Sequence, residues 1–221
     1  MRTPRSMTFG SYNTHADGLW TLTGFALEDP VLKTNLVEIP GSSELLDLST
    51  ALTDGEPTYG SRTLKATFES SEGDRLAREE RISKMQNRLD GYRVNIVLPD
   101  DAQHYLSGRV QVQRLYNDMA HASVQVTAVC DPWRYDKEET VVSLQATAAE
   151  QTAVIVNQGR LSVVPTVTVQ GDEVSIVFGD FSRALSAGTY LLPDLYLTPG
   201  EHSLKYSGVG SLTLTYRGAI L

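Results

Sequence analysis

The sequence predicts a mainly β protein in two parts: an N-terminal β-barrel or sheet domain with one helix and an extended arm, then a C-terminal β-sandwich. Three observations lead there. Apolar and polar residues alternate through most of the chain, the period of half-buried strands. Only Asp74 to Asp90 has helical spacing. A charged seam, Asp136-Lys137-Glu138-Glu139, divides the helix-bearing half from a half of short strands and Gly/Pro turns, setting the domains at 1–136 and 137–221.

Composition narrows the class. With 41% hydrophobic and 21% charged residues in 221, the chain suits a globular protein large enough for two modest domains. No run reaches the ~18–20 apolar residues of a membrane span, so no membrane insertion is expected. Met1-Arg2-Thr3-Pro4-Arg5 is followed by no apolar stretch, so no secretory leader is expected. Cys130 is the single cysteine, which excludes an internal disulfide framework and fits a reducing compartment. A net charge of −8 without Lys/Arg clusters argues against sequence-specific nucleic-acid binding.

In the first half, Met7-Thr8-Phe9 and Leu19-Trp20-Thr21-Leu22 read as strands joined by a polar Ser11–Gly18 connection. Lys33 to Leu48 is the stretch around which the rest is organised. Leu36 to Ile39 is β-prone, Pro40-Gly41 forces a turn, and Leu45, Leu46 and Leu48 resume the apolar pattern around Asp47. By itself this is a hairpin or an arm. Leu52–Tyr59 is turn-rich, and Leu64, Ala66 and Phe68 then share one strand face. Asp74 can cap a helix that Gly91 ends, with Ile82, Met85 and Leu89 on one stripe and Leu76 a turn earlier. Asp74–Arg78 and Glu80–Lys84 have (i, i+4) spacing in the acid-first order. Strands follow at Tyr92–Leu98, Tyr105–Leu115 and Ala122–Cys130, which puts Cys130 in a buried phase as a small hydrophobe.

These residues resemble the distal tail (Dit) proteins of long-tailed, siphovirus-type phages and prophages. The N-terminal domain of that family reads Lys-Thr, an apolar pair, Ile-Pro-Gly and Leu-Asp-Leu; here Lys33-Thr34, Val37, Ile39-Pro40-Gly41 and Leu46-Asp47-Leu48 follow in that order. Ser11-Tyr12, the Tyr59-x-x-Arg62 pattern and the closing Cys130-Asp131-Pro132-Trp133-Arg134-Tyr135 extend the likeness over about residues 7–136. One departure is Glu44, near which many members carry a second Gly, so the loop tip is expected to differ.

The second half reads as strands throughout. Val163, Pro165, Val167 and Val169 alternate; Val174, Ile176 and Phe178 do so after a Gly171-Asp172 turn. Tyr190 and Leu192, Leu195 and Leu197, Leu204 and Tyr206, and Leu212, Leu214 and Tyr216 each give a short apolar face, punctuated by Pro199-Gly200 and Gly208-Val209-Gly210. The resemblance implies that this is the family's galectin-like sandwich.

Chemistry is nearly absent from the pattern. His15, His104, His121 and His202 are scattered without zinc-ligand spacing, and Asp100-Asp101 and Glu138-Glu139 are adjacent acids that strands point apart. Gly208-Val209-Gly210 lacks a third Gly and a helix, and neither a phosphate loop nor a nucleophile elbow occurs. The expectation is a non-enzyme with no metal and no cofactor. The resemblance implies a structural tail component: a homo-hexameric ring at the distal end of the tail tube, made in the bacterial host cytoplasm and resident in the virion tail tip or baseplate. It implies as partners the tail tube protein, the tail-associated (tail-tip) protein and a receptor-binding protein, with a channel left for DNA. Lys33, Thr34, Val37, Ile39, Pro40, Gly41, Leu46, Asp47 and Leu48 become candidates for an assembly arm. The alternative is a carbohydrate-binding module acting through the C-terminal sandwich in host adhesion. Trp20 and Trp133 lie outside that half, so it has no Trp to serve as a sugar platform.

Overall fold

The computed structural model describes residues 5–53 and 55–221; the charged start up to Pro4 lies outside them. Among the described residues the chain is mainly β with one helix, and it divides into a unit ending at Arg134 and a second unit, Tyr135–Leu221.

The first unit is built on one sheet. Its strands are β1 (Thr8–Phe9), β2 (Tyr12–Asn13), β3 (Thr21–Leu27), β6 (Arg62–Ser70), β7 (Arg93–Leu98), β8 (Asp101–Asn117) and β9 (Ala122–Asp136), in the order β2-β1-β7-β8-β9-β6-β3. Between β3 and β6 the chain leaves the sheet and forms a separate hairpin, β4 (Leu36–Glu38) and β5 (Leu45–Asp47). Alternation decides the faces. Leu64, Ala66 and Phe68 of β6 meet Val124, Val126, Ala128 and Cys130 of β9 and Leu106, Val110 and Val112 of β8 in one buried core. The opposite face is mostly polar, with Lys65 on β6 and Arg109, Gln111 and Gln113 on β8 exposed beside Val129 of β9.

Helix α1 (Arg75–Leu89) lies on the core side. Asp74 caps it by accepting from the Ala77 N–H at 2.8 Å, and Gly91 follows its end at φ 79. Ile82, Met85 and Leu89 are buried as the stripe requires, but Leu76 is 68% exposed. Arg78 takes the buried place instead, because its guanidinium can satisfy the carbonyls of Gly73, Asp118 and Met119, which a Leu would leave bare. Arg78 is therefore not the surface partner of Asp74 that the spacing suggests.

Two further expectations change in the first unit. Leu19 sits at φ 55, outside strand geometry, so β3 begins only at Thr21. The polar Ser11–Gly18 connection contains β2, with Tyr12 buried among Met7, Phe9 and Trp20.

The second unit is one six-stranded sheet: β10 (Thr140–Ala146), β11 (Gln151–Asn157), β12 (Thr166–Phe178), β13 (Phe181–Leu185), β14 (Gly188–Leu191) and β15 (Gly200–Tyr216). β16 (Ala219–Ile220) pairs with the end of β9, where Asp136 N–H donates to the Gly218 carbonyl at 3.0 Å. Gly171-Asp172 and Gly208-Val209-Gly210 are not turns that end strands. They are a bulge inside two long, paired strands, with the register shifting between Gly171 and Val174. A Cβ on Gly171 would lie 2.8 Å from the Gly210 Cα, and one on Gly208 2.2 Å from the Glu173 carbonyl oxygen. Glycine there lets the backbones touch and the strands bend. Past the bulge the buried phase switches from Val167 and Val169 to Val174 and Ile176, yet all four share one core with Leu204, Leu212 and Leu214. β10 and β14 flank one half of the long pair, and β11 and β13 the other. Leu195 and Leu197, expected on a strand, lie in a turn and an isolated bridge to Val163, and both are buried.

Candidate functional site

The arm, residues 28–60, owes its shape to the turn at its middle. Pro40 presets φ, Gly41 adopts φ 82, and the Ser42 N–H closes the turn on the Ile39 carbonyl at 3.0 Å. Leu36, Val37 and Glu38 then pair with Asp47, Leu46 and Leu45. The Leu48 N–H donates to the Asn35 carbonyl at 2.8 Å, and Asp47 accepts the Ser49 N–H at 2.8 Å. The Ser49 side chain first, then its backbone N–H, holds the Asp47 carboxyl below the ordinary Asp range. The hairpin is thus locally complete.

It is also uncovered. Every residue from Val31 to Leu48 is exposed. The cross-strand pair Val37–Leu46 shares its face, by alternation, with Ile39 and Leu48, so four apolar side chains cluster on one side of the hairpin, with Asn35 and Glu44 at its ends. The other side mixes Leu36 and Leu45 with Glu38 and Asp47. Among the described residues, none between Leu27 and Arg62 enters the core cluster of the first unit.

The structure brings the expected arm residues together on one projection, with two distinctions among them. Val37, Ile39, Leu46 and Leu48 supply the apolar face, while Pro40, Gly41 and Asp47 shape the backbone. Lys33 belongs to the root, where its N–H donates to the Thr58 carbonyl at 2.9 Å; Thr34 lies between root and hairpin. Further exposed apolar residues, Val31, Leu32 and Leu52, escaped the sequence reading because they fall outside the motif. The root itself was also missed. Leu32 bridges Tyr59, the Gly60 N–H donates to the Val31 carbonyl at 2.8 Å, and the Tyr59 ring packs edge-on against Trp133 at 5.6 Å. A charged residue, Arg62, in the core phase of β6 was the signal that could have found it.

The histidines stay apart. His104 Nδ1 lies 2.7 Å from Asp101 Oδ1, and His202 Nε2 lies 2.7 Å from the Thr198 carbonyl oxygen. Among the described residues no three His, Cys, Asp or Glu side chains are grouped to hold a metal, and no helix is long and apolar enough to cross a membrane. In the second unit Tyr206 and Tyr216 are buried and Tyr196 is exposed.

No family model and no curated protein sequence matches the chain. Among solved structures it resembles the crystal structure of the SPP1 Dit (gp 19.1) protein, described as a paradigm of the hub adsorption apparatus in Gram-positive infecting phages. The match has a TM-score of 0.68 at 15% identity and covers 96% of this chain and 98% of that one. The chain therefore has a Dit-like fold.

Proposed function

We propose that this chain is the hub protein at the distal end of a long phage or prophage tail. The first units of six copies close a ring, each arm laying its apolar face on the next copy. The ring joins the tail tube protein to the tail-associated protein and carries a receptor-binding protein outward. The observation that carries this reading is an arm with an apolar face that its own chain leaves bare, in a fold shared along nearly its whole length with a phage hub protein. Repeated head-to-tail contacts of one arm with one receptive surface close a ring.

The open face of the first sheet suits the channel wall. Its hydroxyls and amides, Thr63, Thr67, Gln111 and Gln125 among them, hold water, and two of its cations are paired with acids, Lys65 with Glu28 and Arg93 with Asp131, which tempers the positive charge that would arrest DNA. The role is structural rather than enzymatic, and its place is the virion tail tip after assembly in the host cytoplasm.

Size-exclusion chromatography with light scattering tests the ring. The expected species is a hexamer of the 24.3 kDa chain. A protein that stays monomeric from micromolar to millimolar concentration overturns the reading.

A further inference from the structure

Arg62 occupies the core-facing phase of β6 with Leu64, Ala66 and Phe68, yet it is charged and only 4% exposed. A side chain of this kind is buried only when its donors are satisfied. Its Nε donates to the Glu28 carbonyl at 3.0 Å, its Nη1 to the Pro132 carbonyl at 3.2 Å, and its Nη2 lies 3.5 Å from Asp29 Oδ1. These partners have particular places in the chain. Glu28 follows β3, where the chain departs for the arm. Arg62 opens β6, where the chain returns, and pairs with Cys130 of β9, two residues before Pro132. One guanidinium joins the strand going out, the strand coming back and the strand beside them.

The ladder above it points the same way. The Val31–Gly60 and Lys33–Thr58 hydrogen bonds extend the root beyond the sheet, and Tyr59 leans on Trp133. We propose that Arg62 is the positioning residue of the arm: it fixes the angle at which the hairpin leaves the sheet. This rests on the reading of the arm as an assembly element. A preformed projection meets the next copy with little ordering left to do, whereas a loose loop loses its freedom on association. Lysine cannot replace it, because a single ammonium lacks the fork that reaches separate carbonyls.

The test uses the full chain with Arg62→Lys and Arg62→Met. Native-state hydrogen exchange is read at the root amides Lys33 and Gly60 and at Val124 and Val126 in β9, beside light scattering across a dilution series. Root exchange is expected to speed up at least about tenfold in both variants while β9 changes by less than about threefold, the signature of a local opening. The concentration at which rings half-form should rise about tenfold or more, as expected when preorganisation is lost. Unchanged root exchange overturns the proposal, as does a loosened root with unchanged assembly. So does a parallel rise at root and β9, which would make Arg62 a support of the sheet alone. If Arg62→Met does not fold, Arg62→Lys decides, and wild-type behaviour there is again fatal. Rings that survive removal of Ile39–Leu48 would instead sink the assembly reading, and the exchange result would still report on the clamp.

Discussion

Replacing Val37 and Leu46 together by serine separates an assembly surface from a folding element. The two side chains face each other across the hairpin and are 41% and 46% exposed; Ile39 and Leu48 beside them are 45% and 37% exposed. Fully burying such a side chain stabilises by about 1.5–3 kcal/mol, so covering the exposed half gives about 1 kcal/mol each and about 4 kcal/mol for the face. The double substitution removes half of that, about 2 kcal/mol per contact, or roughly thirty-fold in affinity at each interface. The isolated chain should hardly notice, since surface changes outside the core stay within about 0.5 kcal/mol. Light scattering over a dilution series reads the first effect, and urea unfolding of the dilute monomer reads the second. Rings forming at the wild-type concentration, or a monomer destabilised by as much as the ring, would refute the reasoning.

Other outcomes follow from the geometry. A chain ending at Lys137 should still associate and residues 138–221 alone should stay monomeric, which light scattering checks. Cys130 is 1% exposed and burial pushes its thiol up to about 11, so a thiol reagent should label the native protein slowly; Cys130→Ser should cost about 1–3 kcal/mol in urea unfolding. Gly18→Ala places a Cβ 2.1 Å from the Tyr12 hydroxyl, in a cluster with Trp20, and should lower stability by about 1–3 kcal/mol in the same assay. Burial acts to raise the Asp101 carboxyl, but the hydrogen bond and charge of His104, with Arg134, outweigh it and hold the group below its ordinary value. Its contribution is present above the unfolded Asp pKa of about 4 and disappears as pH falls through the lower folded value, so wild type and Asp101→Asn should differ in urea midpoint at pH 6 and converge in acid.

Strand phase was legible wherever a face is buried. The run from Ala122 to Cys130 and the set Leu64, Ala66 and Phe68 alternate because one side is core, and the pattern reports that directly. Helix α1 was legible from its cap and stripe, but Leu76 and Arg78 were exchanged. Hydrophobicity places Leu inside by default, and only the three-dimensional positions of the Gly73, Asp118 and Met119 carbonyls make arginine the better fit. The glycines of the second unit misled for a related reason. Gly171 and Gly210 have the composition of turns, and a close approach between two strands far apart in sequence leaves no local trace. β10 and β11 are edge strands whose exposed sides also carry valines, Val141, Val154 and Val156, so the sequence shows no alternation and no separate faces were assigned to them.

The arm obeys every local rule and breaks the global one. Its turn, pairing and caps are satisfied within the chain, yet a two-stranded hairpin by itself is marginally stable in water. The first unit closes its core without it, so the unit's own packing does not account for Val37, Ile39, Leu46 and Leu48. Exposed strands of this composition invite indiscriminate pairing, and charge on them is the usual restraint. Glu38, Glu44 and Asp47 provide that restraint on the hairpin, where two copies meeting arm to arm would bring like charges together. A hairpin with apolar side chains clustered on one side, acids on the other and Glu44 at the turn disfavours its own image and favours a different patch on the next copy. That is the asymmetry a closed head-to-tail ring requires.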